Sequence, residues 1–214
     1  NVPKGAFEPK AVPEKKPKFS VEMGGGKAFA PWSSAENIPL SGYKSSSMIS
    51  AKIGYAIWRN LEVQAEYSNL SGFEKNTEDI DLIGGVWKIN RNRAFTAFGV
   101  NLKGSLPLTV KRISFSPYVI GGIGKAMLNL KGSESLQSSA STVIWEDKWR
   151  ITGSGTCFKI GGGVSLKLYK NLSLFSEYNY WKMKLAWQGF HVSRRAGTSS
   201  FAYSTVSTGL GFKF

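Results

Sequence analysis

The last ten residues carry the pattern that most constrains the chain. Val206, Thr208, Leu210, Phe212 and Phe214 share one face of an extended strand, and Thr205, Ser207, Gly209, Gly211 and Lys213 share the other. This follows because successive side chains of a strand point to opposite sides. One face is apolar and ends in aromatics; the other is small and polar. The alternation recurs over residues 19–29, 48–57, 61–70, 94–106, 113–130, 156–168 and 172–185. Tight turns at Arg59-Asn60, residues 107–112 and Lys170-Asn171 alternate with longer connections at 30–46, 72–93, 131–155 and 186–200. Alternating strand, short turn and alternating strand is a hairpin signal. The expected fold is all-β: eight antiparallel strands, up and down, closed into a barrel over residues 19–214. A soluble barrel would hold the apolar face inside, whereas a transmembrane barrel turns it to lipid and lines its interior with small and polar residues. An even strand number and strictly alternating short and long connections favour the transmembrane barrel, with short periplasmic turns, long extracellular loops and both termini periplasmic. Within 72–93, residues 80–89 are expected as extra strand above the membrane.

No run of about 18 apolar residues exists, so no transmembrane helix is expected. Barrel strands escape that test because alternation averages out; the mean hydropathy is −0.18. One cysteine excludes an internal disulfide framework. No signal peptide is visible, and Asn1 is read as a processed or recombinantly chosen start. Residues 1–18 hold four of the eight prolines and five lysines against two glutamates. This is a flexible basic tail leading into the barrel, with a partner-binding arm as the alternative.

The net charge is +14. Nucleic acid is not the expected partner, because the basic residues are scattered through strands, turns and ends. An anionic membrane surface, rich in lipid A phosphates, suits them better. Strand parity places Glu22, Glu62, Glu66 and Glu177 inside, facing Lys52, Lys103, Lys159 and Lys167. An eight-stranded barrel is just wide enough for its side chains to fill it, and unpaired charges there would each cost several kcal/mol of desolvation. The expectation is a salt-bridged plug; the alternative is a gated ion path. Cys157 points inward as filler, and the glycine runs at 121–122 and 161–163 are barrel glycines, because they open no helix.

Trp32, Trp87, Trp145, Trp149 and Trp187 fall in the long connections and read as an interfacial girdle or as binding anchors. The two middle polar connections balance their charges, whereas 182–200 carries Lys182, Lys184, Arg194 and Arg195 with no acid. With Trp187 and Phe190, this basic aromatic loop is expected to contact lipopolysaccharide phosphates or another anionic partner. His191 is the single histidine, so no histidine-based metal site and no cofactor is expected.

The motifs Ser-Pro-Tyr-Val-x-Gly-Gly-Ile-Gly at 116–124 and Leu-Lys-Leu-Tyr-Lys-Asn-Leu-Ser-Leu-x-x-Glu-Tyr at 166–178 resemble the small eight-stranded outer-membrane barrels, OmpA/OmpX-like and opacity-protein-like surface antigens. Ser207, Gly209, Phe212 and Phe214 resemble the C-terminal signal read by the barrel-assembly machinery. The resemblance implies a bacterial outer-membrane location; function is poorly implied, since such barrels include adhesins, anchors, narrow channels and lipid enzymes. His191 and Ser193 are spaced like the His-x-Ser pair of outer-membrane lipid A deacylases, but the last strand lacks the glutamate that orients such a histidine. The expectation is a non-enzymatic surface barrel displaying four extracellular loops for adhesion, for binding a protein or lipopolysaccharide, or for organising the membrane. A protein partner could also meet the N-terminal tail. A narrow channel and a lipid A-modifying enzyme are the alternatives.

Overall fold

The computed structural model describes residues 18–29, 46–80, 86–110, 113–137, 143–190 and 196–214. Apart from Lys18, the expected tail lies outside them. The described elements are all strands: β1 (Phe19–Phe29), β2 (Ser46–Trp58), β3 (Leu61–Ile80), β4 (Val86–Ser105), β5 (Leu108–Val110), β6 (Ile113–Gln137), β7 (Val143–Lys167), β8 (Leu172–Phe190) and β9 (Ala196–Lys213). Pairing is antiparallel between chain neighbours other than β4 and β5, and β1 closes on β9 and β4 on β6. The ring nevertheless has eight strands. β5 pairs with β6 in the register that β4 uses, since Ser105 faces Tyr118 and Leu108 faces Phe115. Pro107 lacks the N–H a ladder needs, and divides one strand into two. The residues expected as a turn at 107–112 thus include a continuation of strand.

The short turns lie together with the start of β1 and the end of β9. Phe214 N donates to Phe19 O at 2.8 Å, and Phe19 N to Phe214 O at 3.3 Å. At the other end the structure departs from the expected loops. Most of the residues read as long polar connections at 72–93, 131–155 and 186–200 continue the strands, so that β6 and β7 each run for 25 residues. About 9–11 residues suffice to cross a bilayer. A bulge accompanies the extension of β3: the register shifts between Leu70 and Phe73, and Gly72 takes φ +86°. A side chain there would be strained. Beyond the pairing of Arg150 with Phe190, β7 has β6 as its described partner, so β3, β4, β6 and β7 project as a four-stranded blade.

The polarity of the wall inverts along its length. Near the turns the outward residues are apolar and exposed: Ile53 on β2, Val100 on β4, Val119 and Ile123 on β6, Phe158 and Ile160 on β7, and Leu210 and Phe212 on β9. Their inward neighbours are mostly glycines and polar residues, with Tyr118, Ile120 and Phe175 as the larger buried side chains at this level. On β6, β7 and β9 this belt covers residues 113–123, 158–168 and 206–214, the length of a bilayer crossing. Aromatics mark both margins, with Phe19, Tyr55, Trp58 and Tyr169 near the turns and Tyr67, Phe98, Tyr178 and Tyr180 above, as at membrane interfaces. Beyond the second margin the sense reverses. Thr96, Lys125, Thr156, Lys182, Lys184 and Ser200 take outward positions, while Leu70, Phe95, Leu128, Leu130, Met183, Leu185, Phe201 and Tyr203 are buried inside. The interior was expected to be small and polar throughout. It is so only within the belt; above it, the chain has the inward apolar core of a soluble barrel.

Candidate functional site: the lumen and the outer wall

Within the belt, alternate residues of β1, β2, β3, β4, β7 and β8 bring charges onto the barrel axis. Lys103 donates to Glu22, and Glu22 lies 3.8 Å from Lys52. The Lys52 ammonium reaches both Glu177 oxygens at 2.7 Å. Glu177 lies 3.3 Å from Lys159, which in turn donates to Glu66 at 2.6 Å. Three lysines and three glutamates thus alternate in one continuous chain of opposite charge. Neutral donors satisfy more carboxylate lone pairs: Tyr118 and Asn179 donate to Glu177 at 3.0 and 2.7 Å, and Ser68 and Asn101 donate to Glu66 at 2.8 and 2.5 Å. Rings flank the ammonium groups, with Tyr118 at 4.1 Å from Lys103, Phe175 at 5.3 Å from Lys52 and Trp181 at 5.2 Å from Lys159. The side chains of Lys52 and Glu177 are each 1% exposed. Removing charges from water is costly unless pairing and hydrogen bonding compensate; here every charge is paired, and of the six carboxylate oxygens Glu22 Oε2 is the one without a hydrogen bond.

Two of the eight residues expected in this network stand apart. Glu62 is half-buried and accepts from Ser20 Oγ at 2.5 Å and Gln64 Nε2 at 2.8 Å, with hydroxyl and amide donors in place of a lysine. Lys167 is exposed at the turn end of β7, opposite Ser173. It lies too near the strand terminus for the lumen to enclose it. Cys157 is buried in the apolar layer, as parity indicated.

Above the charges, rings close the lumen. Trp181 stacks on Tyr203 at 5.7 Å between centroids, and Phe95 meets Tyr203 at 5.9 Å and Phe201 at 5.7 Å. Arg93 lies over Phe201 and Phe95. Between the two layers, Asn179 Oδ1, Trp181 Nε1, Tyr203 OH, Thr205 Oγ1 and Ser207 Oγ are buried without a hydrogen-bond partner. They are cross-strand neighbours on β8 and β9, and polar atoms in such a setting are ordinarily served by ordered water.

The tryptophans expected in loops are on strands. Trp149 packs against the apolar core, over Gly132, where a Cβ would sit 2.3 Å from its ring. Trp187 donates to Ser199 Oγ at 3.0 Å. Trp87 and Trp145 stack at 5.6 Å on the blade, Trp145 being 42% exposed beside the exposed Val143 and Ile144. Trp32 lies outside the described residues.

The basic aromatic loop is likewise redistributed. Lys182 and Lys184 sit on the outer wall of β8 and are exposed, and Phe190 ends that strand. Arg194, Arg195, His191 and Ser193 lie outside the described residues. Among the terminal residues, Ser207 is buried in the lumen, Gly209 shares its inward parity, and Phe212 and Phe214 are exposed on the apolar side.

The family model described as outer membrane protein beta-barrel domain matches residues 9–214. Among solved structures, Neisserial surface protein A is similar at 16% identity and TM-score 0.52, over 92% of this chain and 97% of that one. OprG from Pseudomonas aeruginosa follows at 12% identity and TM-score 0.49, over 93% and 97%. Ail, the attachment invasion locus protein of Yersinia pestis, gives 12% identity and TM-score 0.43, over 92% and 98%. Identities this low speak to fold alone. No curated protein sequence matches the chain.

Proposed function

The chain belongs to the outer-membrane protein β-barrel family, and from that premise we propose that it is a non-enzymatic surface barrel whose lumen is closed and whose long-strand end faces the cell exterior as a docking surface. The observation that carries this reading is the double closure of the lumen. The Lys103–Glu22–Lys52–Glu177–Lys159–Glu66 chain fills the belt, and the Phe95, Trp181, Phe201 and Tyr203 layer lies above it. A conducting path would have to break several charge-assisted hydrogen bonds at once. The extended storey supports display. Its polar outer wall suits water, and the stacked Trp87–Trp145 pair with Val143 and Ile144 offers the kind of exposed aromatic surface that anchors protein contacts. Facing outward, this blade takes the place of the display loops expected from the sequence, and both termini are periplasmic. The enzyme reading has less support, because β9 has no acid to orient His191.

Two measurements test the proposal. In a planar bilayer the purified protein shows negligible steady conductance; stable, ion-selective openings would establish the channel reading in its place. In intact cells, Ile144→Cys reacts with a membrane-impermeant maleimide, while the native protein, whose Cys157 is buried, does not. Labelling that requires permeabilised cells would reverse the orientation.

A further inference from the structure

We propose that three lysines on the outer wall, Lys125, Lys182 and Lys184, form a binding site for the phosphate of an outer-leaflet lipopolysaccharide. The inference rests on the outward orientation given above. It starts from register. Lys125 on β6 faces Thr156 on β7, and Thr156 faces Lys184 on β8, which faces Ser200 on β9. One step nearer the belt, Ile123 faces Phe158, Phe158 faces Lys182, and Lys182 faces Ala202. All three lysines are exposed on one side of the wall. Alternate residues of one strand lie about 6.8 Å apart and strands two apart about 9.6 Å. Three ammonium groups on flexible stems can therefore converge on one phosphate over Thr156, whose short side chain leaves room between them.

Their level matters as much as their spacing. Lys125 stands one outward position above Ile123, and Lys182 one above Tyr180, at the line where the wall changes from apolar to polar. Headgroup phosphates lie at that depth. Below them Ile123, Phe158 and Ile160 offer an exposed apolar surface for acyl chains. Among the described outward positions of β6, β7, β8 and β9 the one acid is Glu146, far up the blade, where Lys148 lies 3.3 Å away. Lys131 and Arg150, paired across β6 and β7 above the site, extend the positive strip toward the sugars.

The test uses the full-length, detergent-folded protein and lipid A as probe, read by native mass spectrometry and by a titration. Bisphosphorylated lipid A is retained, whereas lipid A stripped of phosphate and phosphatidylglycerol bind at least tenfold more weakly. A lysine near an anionic lipid surface contributes about fivefold in affinity, so Lys125→Gln, Lys182→Gln and Lys184→Gln together cost about a hundredfold. Lys170→Gln, at the turn end, leaves binding unchanged. Altered migration of the unboiled variant on a gel confirms folding; should the triple variant fail that check, each single substitution is read instead, with a loss of about fivefold expected. Unchanged affinity in the lysine variants, equal loss in Lys170→Gln, or equal binding of phosphatidylglycerol would overturn the site. None of these outcomes depends on the labelling of Ile144→Cys, so orientation and lipid binding fail separately.

Discussion

Glu177 is the residue on which the lumen network turns, because it joins Lys52 to Lys159 and also accepts from Tyr118 and Asn179. Glu177→Gln keeps the shape and removes the charge, leaving two buried ammonium groups short of a partner. Breaking one side of a buried ion pair costs about 3–5 kcal/mol. The variant barrel is therefore expected to lose its heat-resistant form at a clearly lower temperature. Lys167→Gln, exposed at the rim, should change stability by no more than about 0.5 kcal/mol. Equal behaviour of the two would show that the network does not hold the barrel together. The inward charges were legible in the sequence, because parity alone puts Lys52 between Ala51 and Ile53 on the opposite face. Their partners were not. Lys52 and Glu177 are 125 residues apart, and ring closure decides which charges meet.

At the scale of the strand, alternation fixes the extended conformation but not which face is covered. Lys182-Met183-Lys184 alternates as regularly as Leu172-Ser173-Leu174, with polarity in the opposite phase. Reading the apolar face as outward holds within the belt and fails above it. That is why residues 131–155 looked like a loop: Lys131, Lys148 and Arg150 are exposed, while Trp149 and Ile151 pack against the inner core. The upper core should therefore behave as a separate packing unit. Leu128→Ala and Phe201→Ala remove buried apolar volume at a cost of about 2–5 kcal/mol each. Hydrogen exchange should lose protection in the far ends of β6, β7 and β9 while the belt stays protected. Loss of protection along the whole strand, or none anywhere, would contradict a two-storey wall.

For the molecule as a whole, we place the membrane surface at the inversion of polarity, so that one barrel spans the bilayer and stands beyond it. The eight-strand ring and its antiparallel order followed from the spacing of turns; the height of the wall did not, because strand extensions and loops share a polar composition. Depth can be measured directly along β7. Single cysteines at Val164, Ile160, Phe158, Ser154, Thr152 and Arg150, in a Cys157→Ser background, carry a fluorophore in vesicles containing lipids with brominated acyl chains. Quenching should be strong at Val164, Ile160 and Phe158, fall at Ser154 and be absent at Thr152 and Arg150. Quenching that persists to Arg150, or that is absent at Ile160, would contradict that placement.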